Sequence, residues 1–248
     1  MAEATPETPD GSGGLFPRTH WSVILAAGDL SSPNNRDALA EFCESYRTPV
    51  YFFLRGHGHQ PADADDLTQE FFAWFLQREI LTGLTREGSR FRGYLLTVLR
   101  NFLGNKWRGE QAQKRGGGAK HVPIDPDTES RCLALLSVQT PPETLFDVEW
   151  ARKVSARVFA RLRGEYEADG KGKEFEYLQG CFPGLPDKGS YAVAAKDLGM
   201  TEQAVRQAAY RMRKRYQELL RMEMAAAGTS KEEIDEEIRY LMAVLARE

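Results

Sequence analysis

Apolar residues recur at three- and four-residue intervals along nearly every segment of this chain, which reads as all-α. Val23 to Ala27 and Arg36 to Arg55 carry the first such stripes, the second through Leu39, Phe42, Cys43, Tyr46, Val50 and Phe53. Pro49 falls inside that second stripe, where a proline is expected to bend or interrupt a helix. Gly56 to Pro61 breaks the chain, and a helix then begins near Pro61 to Asp65, its early acids suited to a helix N-terminus. After a glycine-containing connector at Thr82 to Ser89, Arg90 to Arg108 forms a third long helix with Phe91, Tyr94, Leu95, Val98, Leu99, Phe102 and Leu103 inward. These elements make a helical bundle over residues 18–108.

Periodicity stops from Gly109 to Pro142, where Gly116 to Gly118 and four prolines indicate an extended, flexible linker over residues 109–143. A second helical unit covers residues 144–222, with helix from Leu145 to Tyr166, a break at Asp169 to Gly172, and a pair of helices at its end. Residues 223–248 form a C-terminal extension, whose Ile234, Ile238, Leu241, Met242 and Leu245 stripe is expected to pack on this same chain. Residues 1–17 read as a disordered lead-in. Met1 to Gly14 is rich in Thr, Pro, Gly and Glu and lacks the basic and apolar regions of a signal peptide. The longest apolar run, Phe71 to Leu76, is six residues, far short of the roughly 20 that span a bilayer.

The net charge of −3 over 248 residues conceals a block pattern. Residues 81–120 carry +7 and residues 188–221 carry +5, between blocks of −7 (1–80), −5 (121–150) and −4 (222–248). Because phosphate neutralisation is local, two basic blocks argue for nucleic acid where the global balance would not. Cys43, Cys132 and Cys181 are scattered and form no CxxC pair, which suits free buried thiols in a reducing cytoplasm. His57 and His59 make an HxH without a nearby third ligand. No Ser-His-Asp arrangement or phosphate-binding glycine loop is evident, so neither catalysis nor a cofactor is expected.

The sharpest local motif runs from Ser190 to Arg215. Val193, Ala194 and Leu198 face inward on its first helix; Gly199 supplies a left-handed turn and Thr201 a cap for the next. Val205, Ala208, Met212, Tyr216 and Leu219 form the second inner stripe. Outward lie Glu202, Gln203, Arg206, Gln207 and Tyr210, then Arg211, Arg213, Lys214 and Arg215. This is the pattern of a DNA-binding helix-turn-helix. Its early polar residues sit where base edges are read and its later basic ones suit phosphates. A solvated basic helix is the plain alternative.

In the first unit, the stretch Asp63 to Phe72, followed by Phe91 to Leu103 and Trp107-Arg108, resembles the sigma-70 superfamily of RNA polymerase sigma factors. It looks like the small extracytoplasmic-function (ECF) group, which keeps the second and fourth conserved regions. The resemblance covers about residues 18–108 (region 2) and 144–222 (region 4) in the right order. It implies a non-enzymatic cytoplasmic factor that binds core RNA polymerase and promoter DNA, with an anti-sigma factor or another regulator as a further partner.

By that resemblance Asp63, Asp65, Asp66, Gln69, Glu70 and Phe71 dock on the polymerase. Arg90, Arg92, Tyr94, Arg100, Asn101, Lys106, Trp107 and Arg108 serve the −10 element, where basic side chains track the backbone and aromatics stack on unpaired bases. Phe91, Tyr94 and Phe102 also lie on the inner stripe, so the charges carry this assignment. Thr201, Glu202, Gln203, Arg206, Gln207, Tyr210, Arg211, Arg213 and Lys214 serve the −35 element. The linker acids Asp125, Asp127 and Glu129 are similar to the family's connector toward the active centre; a solvated strap is the alternative. The competing function is a stand-alone helix-turn-helix regulator whose first unit senses a ligand.

Overall fold

The computed structural model describes residues 20–29, 31, 33–78, 80–82, 91–110, 124–181, 191–226 and 233–245. In chain order its helices are α1 (His20–Gly28), α2 (Asn35–Gly56), α3 (Pro61–Gln77), α4 (Phe91–Glu110), α5 (Pro126–Ser137), α6 (Pro142–Ala168), α7 (Gly172–Leu178), α8 (Tyr191–Leu198), α9 (Glu202–Ala226) and α10 (Ile234–Leu245). Among the described residues there is no strand. The all-α expectation holds.

Helix α2 is the axis. Every residue from Pro49 to Arg55 is buried, so its C-terminal half is surrounded rather than amphipathic. Helices α1, α3, α5 and α6 pack about it. Pro49 therefore does not interrupt the helix as expected. The missing N–H costs one ladder hydrogen bond, but unbroken continuation buries Val50, Tyr51, Phe52, Phe53 and Leu54, each at roughly 1.5–3 kcal/mol for a large side chain. Aromatic rings knit α2, α3 and α4 together. Phe42 stacks on Phe75 with centroids 5.5 Å apart and meets Phe91 edge-on at 5.8 Å, while Phe71 meets Phe102 at 5.5 Å.

The stretch expected to be an extended linker is partly helical. Helix α4 continues to Glu110, α5 occupies 126–137, and α6 starts at Pro142. Asp125 caps α5 by accepting from the Thr128 N–H at 2.8 Å, and Pro126 fills the first helical position, where its missing N–H is no loss. Read as breakers, these residues are helix-start signals. Helix α5 is docked on α2: Arg55 Nη2 donates to Glu129 Oε1 at 2.8 Å, Tyr51 donates to the same carboxylate, and Cys132 and Leu135 are buried. Gly116 to Gly118 lie outside the described residues.

Helix α6 also departs from the expected layout. Its 27 residues make a rod roughly 40 Å long that crosses the boundary set at residues 143–144. Its first half buries Leu145, Phe146, Val148, Trp150, Ala151 and Val154, and α2 is the helix it packs on most extensively. Its second half, through Val158 and Leu162, meets α7 and α9. One continuous core results. Close approach at the junction depends on Gly56, where a Cβ would fall 2.7 Å from Leu145 Cδ1 and 2.8 Å from Pro142 Cα.

Helix α10 packs on α6 and α9 with Ile234, Leu241 and Val244 buried, while Met242, expected on the inner stripe, is exposed. Cys43 and Cys132 are free thiols, and burial pushes them up to about 11 and about 12. Among the described residues no His, Cys, Asp or Glu cluster could hold a metal, and no helix is long and apolar enough to cross a membrane. The His57 ring lies 3.0 Å from the Phe53 carbonyl oxygen.

Candidate nucleic-acid interface

Helix α3 divides its polar residues between two faces. Asp63, Asp66 and Glu70 are exposed and, three and four positions apart, share one face. Asp65 turns the other way, nearly buried, and accepts from Arg47 Nη2 at 3.0 Å. Phe71 is fully buried among Phe72, Phe75 and Phe102. Asp65 and Phe71, both expected to dock on the polymerase, are thus buried within the bundle in this arrangement. Gln69 is half-buried.

On α4 the inner stripe is as expected, with Phe91, Leu95, Leu99 and Phe102 buried and Tyr94 half-buried beside Phe91. Those of its basic residues that are described pair with carboxylates of the same chain. Arg92 keeps only 14% of its side chain exposed and binds Asp147 of α6 at 2.5 Å and Glu237 of α10 at 2.8 Å. Its guanidinium lies 5.2 Å from the Trp150 ring centroid and 5.3 Å from that of Tyr240, whose hydroxyl donates to Asp147. Burial pulls the guanidinium's affinity for its proton down, but the two carboxylates more than offset this and hold it above its ordinary value. Arg100, on the surface, pairs with Glu143 at 3.0 Å, and Lys106 pairs with Glu70. Asn101 is exposed. In this arrangement Arg92 is an internal residue, contrary to its expected place on a DNA face. Arg90 and the side chains of Trp107 and Arg108 lie outside the described residues.

Helices α8 and α9 meet through a tight turn. Gly199 has φ +65°, the left-handed conformation its position requires. Thr201 Oγ1 accepts from the Ala204 N–H at 3.2 Å, so the expected cap is present. Val205, Ala208, Met212, Tyr216 and Leu219 are all buried, as are Ala194 and Ala195. Val193, expected inward, is 47% exposed; the two small alanines bring the helices together and leave it on the rim.

The outer face of α9 exposes Glu202, Gln203, Arg206, Gln207, Tyr210, Arg211 and Lys214, with Arg213 half-buried. Tyr210 is 65% exposed, unusual for so large a ring. Arg206 lies 5.5 Å over the Tyr191 ring of α8 and 3.7 Å from Glu202, so its guanidinium is oriented from two sides. Tyr191 was not among the expected site residues; its only sequence signal is an aromatic at the first position of α8. Arg215 turns inward, bound through two nitrogens to Glu165 at 2.8 Å each, while Arg211, Arg213 and Lys214 have no ion pair among the described residues.

Residues 42–113 match the family model for sigma-70 region 2. That segment supports a sigma-70 family sigma factor. Region 2 thus covers α3, α4 and most of α2, so both the acidic row and the basic helix fall within the matched segment. The match supports a sigma-factor role in transcription initiation. Neither a curated protein nor a solved structure matches the chain.

Proposed function

We propose that this chain is a sigma factor that binds core RNA polymerase through the exposed row Asp63, Asp66 and Glu70, with Gln69 at its edge, and directs it to promoters by contacts at both −10 and −35. The observation that carries the reading is the pairing of a region 2 with a further helix pair, α8–α9, whose outer face is polar at its start and basic further on. Helix α4 supplies Arg100, Asn101 and Lys106 toward the −10 strand, together with Tyr94, Arg90, Trp107 and Arg108. The α8–α9 pair is a helix-turn-helix that sets Gln203, Arg206 and Gln207 against base edges, with Glu202 and Tyr191 steadying Arg206. Thr201, Tyr210, Arg211, Arg213 and Lys214 complete the −35 contacts, the last three on phosphates. The short, two-region plan is that of the ECF group, and the protein acts in the cytoplasm without a cofactor. An anti-sigma factor or other regulator remains a fitting partner.

The test is co-purification with core enzyme followed by transcription from a mapped promoter. The native chain is expected to co-purify and to support defined start sites. Asp63→Lys with Asp66→Lys should lower core binding at least tenfold while leaving the helical signal intact, because both side chains are exposed. Tight sequence-specific duplex binding without polymerase, combined with no core binding, would instead identify a stand-alone regulator.

A further inference from the structure

Among the basic side chains on the outer face of α9, Arg206 is held in a way the others are not. Arg215 spends its fork on Glu165, and Arg211, Arg213 and Lys214 have no ion pair among the described residues. Arg206 lies between these extremes. Its guanidinium sits 5.5 Å from the Tyr191 ring centroid and 3.7 Å from the Glu202 carboxylate, yet its side chain remains 65% exposed. At 3.7 Å the pairing with Glu202 is a charge contact, too long to be a hydrogen bond. The cation is therefore oriented while its five N–H donors stay unspent among the described residues. We propose that Tyr191 is a positioning residue that sets specificity: by stacking on Arg206 it commits that guanidinium to a guanine, so that the upstream element demands a G·C pair at one fixed place. The inference rests on the reading of α9 as a recognition helix. It adds which base is chosen there and which residue outside α9 enforces the choice.

Guanine presents two acceptors, O6 and N7, side by side in the major groove, and a planar guanidinium matches them with two parallel N–H bonds. A loose arginine must surrender its rotamer freedom to make that pair, and until it does it meets backbone phosphates as readily as base edges. Tyr191 removes part of that cost before DNA arrives, because a ring beneath the guanidinium fixes its plane without occupying a donor. Glu202, one turn earlier on α9, gives a second hold, and its negative charge repels the phosphates that would draw Arg206 aside. A lysine would gain nothing from this seat, since an ammonium has no plane to fix. The fold makes Tyr191 a firm support. It is the first residue of α8, half-buried and packed against the core, and the small buried Ala194 and Ala195 let α8 lie close on α9.

The experiment uses the full-length chain assembled with core polymerase and a duplex library built on a mapped promoter, its upstream element randomised, with the bound DNA sequenced. The native chain is expected to select guanine at one position roughly ten- to a hundredfold over the other bases. Arg206→Ala and Arg206→Lys should both lose that preference. Tyr191→Ala should weaken it roughly two- to fivefold, the worth of an exposed cation–π contact, and leave every other position unchanged. Tyr191→Phe keeps the ring and should restore the native profile, whereas Tyr191→Leu keeps only apolar bulk and should not. Added to Arg206→Ala, Tyr191→Ala should have no further effect, because its contribution passes through that one side chain. Circular dichroism checks folding; if Tyr191→Ala unfolds, Tyr191→Leu, which preserves the packing, supplies the same reading. A native profile from Tyr191→Leu, or a loss spread evenly over all positions, makes Tyr191 a packing residue and overturns the proposal. So does an Arg206-dependent position that selects any base but guanine. A profile that Arg206→Ala leaves unaltered defeats instead the assignment of α9 on which the proposal rests.

Discussion

Glu165 and Arg215 show how a side chain that reads as a surface charge becomes a structural one. Arg215 belongs by spacing to the basic outer row of α9, yet it reaches back to α6 and joins Glu165 through two hydrogen bonds. That bond holds the Glu165 carboxyl below its usual range, outweighing the opposing effect of burial. Folding therefore gains from Glu165 at neutral pH, above the ordinary glutamate value of about 4.3 in the unfolded chain, and the gain vanishes as pH falls through the lower folded value. Arg215→Met should be less stable than the native chain at pH 7, with the difference closing as pH falls below about 4.3. Urea unfolding from neutral into acid checks the prediction, and a difference that stays constant would remove Glu165 as its source. The inward turns of Asp65 and Arg92 share one cause. Their partners Arg47, Asp147 and Glu237 sit on other helices, and helical periodicity records which face a residue occupies but not which distant carboxylate or guanidinium that face meets.

At the scale of the element, α9 joins two tasks on one helix. Its inner stripe was fully legible, because Val205, Ala208, Met212, Tyr216 and Leu219 follow the helical period without exception and all are buried. The turn and cap were legible too, since Gly199 and Thr201 are residue types with a mechanical reason to stand there. Less legible were α5, whose Asp-Pro start resembles a breaker, and the unbroken run of α2 through Pro49, which only its surroundings explain. If the outer face reads DNA as proposed, its two ends should respond differently. Gln203→Ala or Arg206→Ala should relax choice at one −35 position by about 1–3 kcal/mol. Arg211→Ala or Lys214→Ala should weaken all sequences together and lower the salt slope by about one phosphate contact. Binding-site selection at two salt concentrations distinguishes these behaviours, and identical profiles from both ends would sink the division.

For the whole molecule, the decisive element is α6, whose first half completes the core around α2 and whose second half supports α7 and α9. Most of the chain's helices were visible in sequence, but this arrangement was not. Leu145, Phe146 and Trp150 mark a buried face without naming α2 as what covers it. Gly56 gives a direct check. Gly56→Val would push side-chain carbons into Leu145 and Pro142, and overpacking of this kind costs typically about 1–3 kcal/mol. Thermal unfolding should show a lowered midpoint, and accessibility of the Trp150 indole to a fluorescence quencher should rise. A Gly56→Val variant as stable as the native chain would mean that α2 and α6 do not meet as described.

The placement of α6 also bears on how the chain is made. Helix α2 leaves the ribosome long before the residues that cover it, so during synthesis Tyr51, Phe52 and Phe53 have no complete apolar shelter until α6 has emerged. The nascent chain must pass through a stage in which the buried C-terminal half of α2 is only partly covered. Cells that produce this chain in a burst would therefore meet their greatest aggregation hazard midway through translation rather than after release.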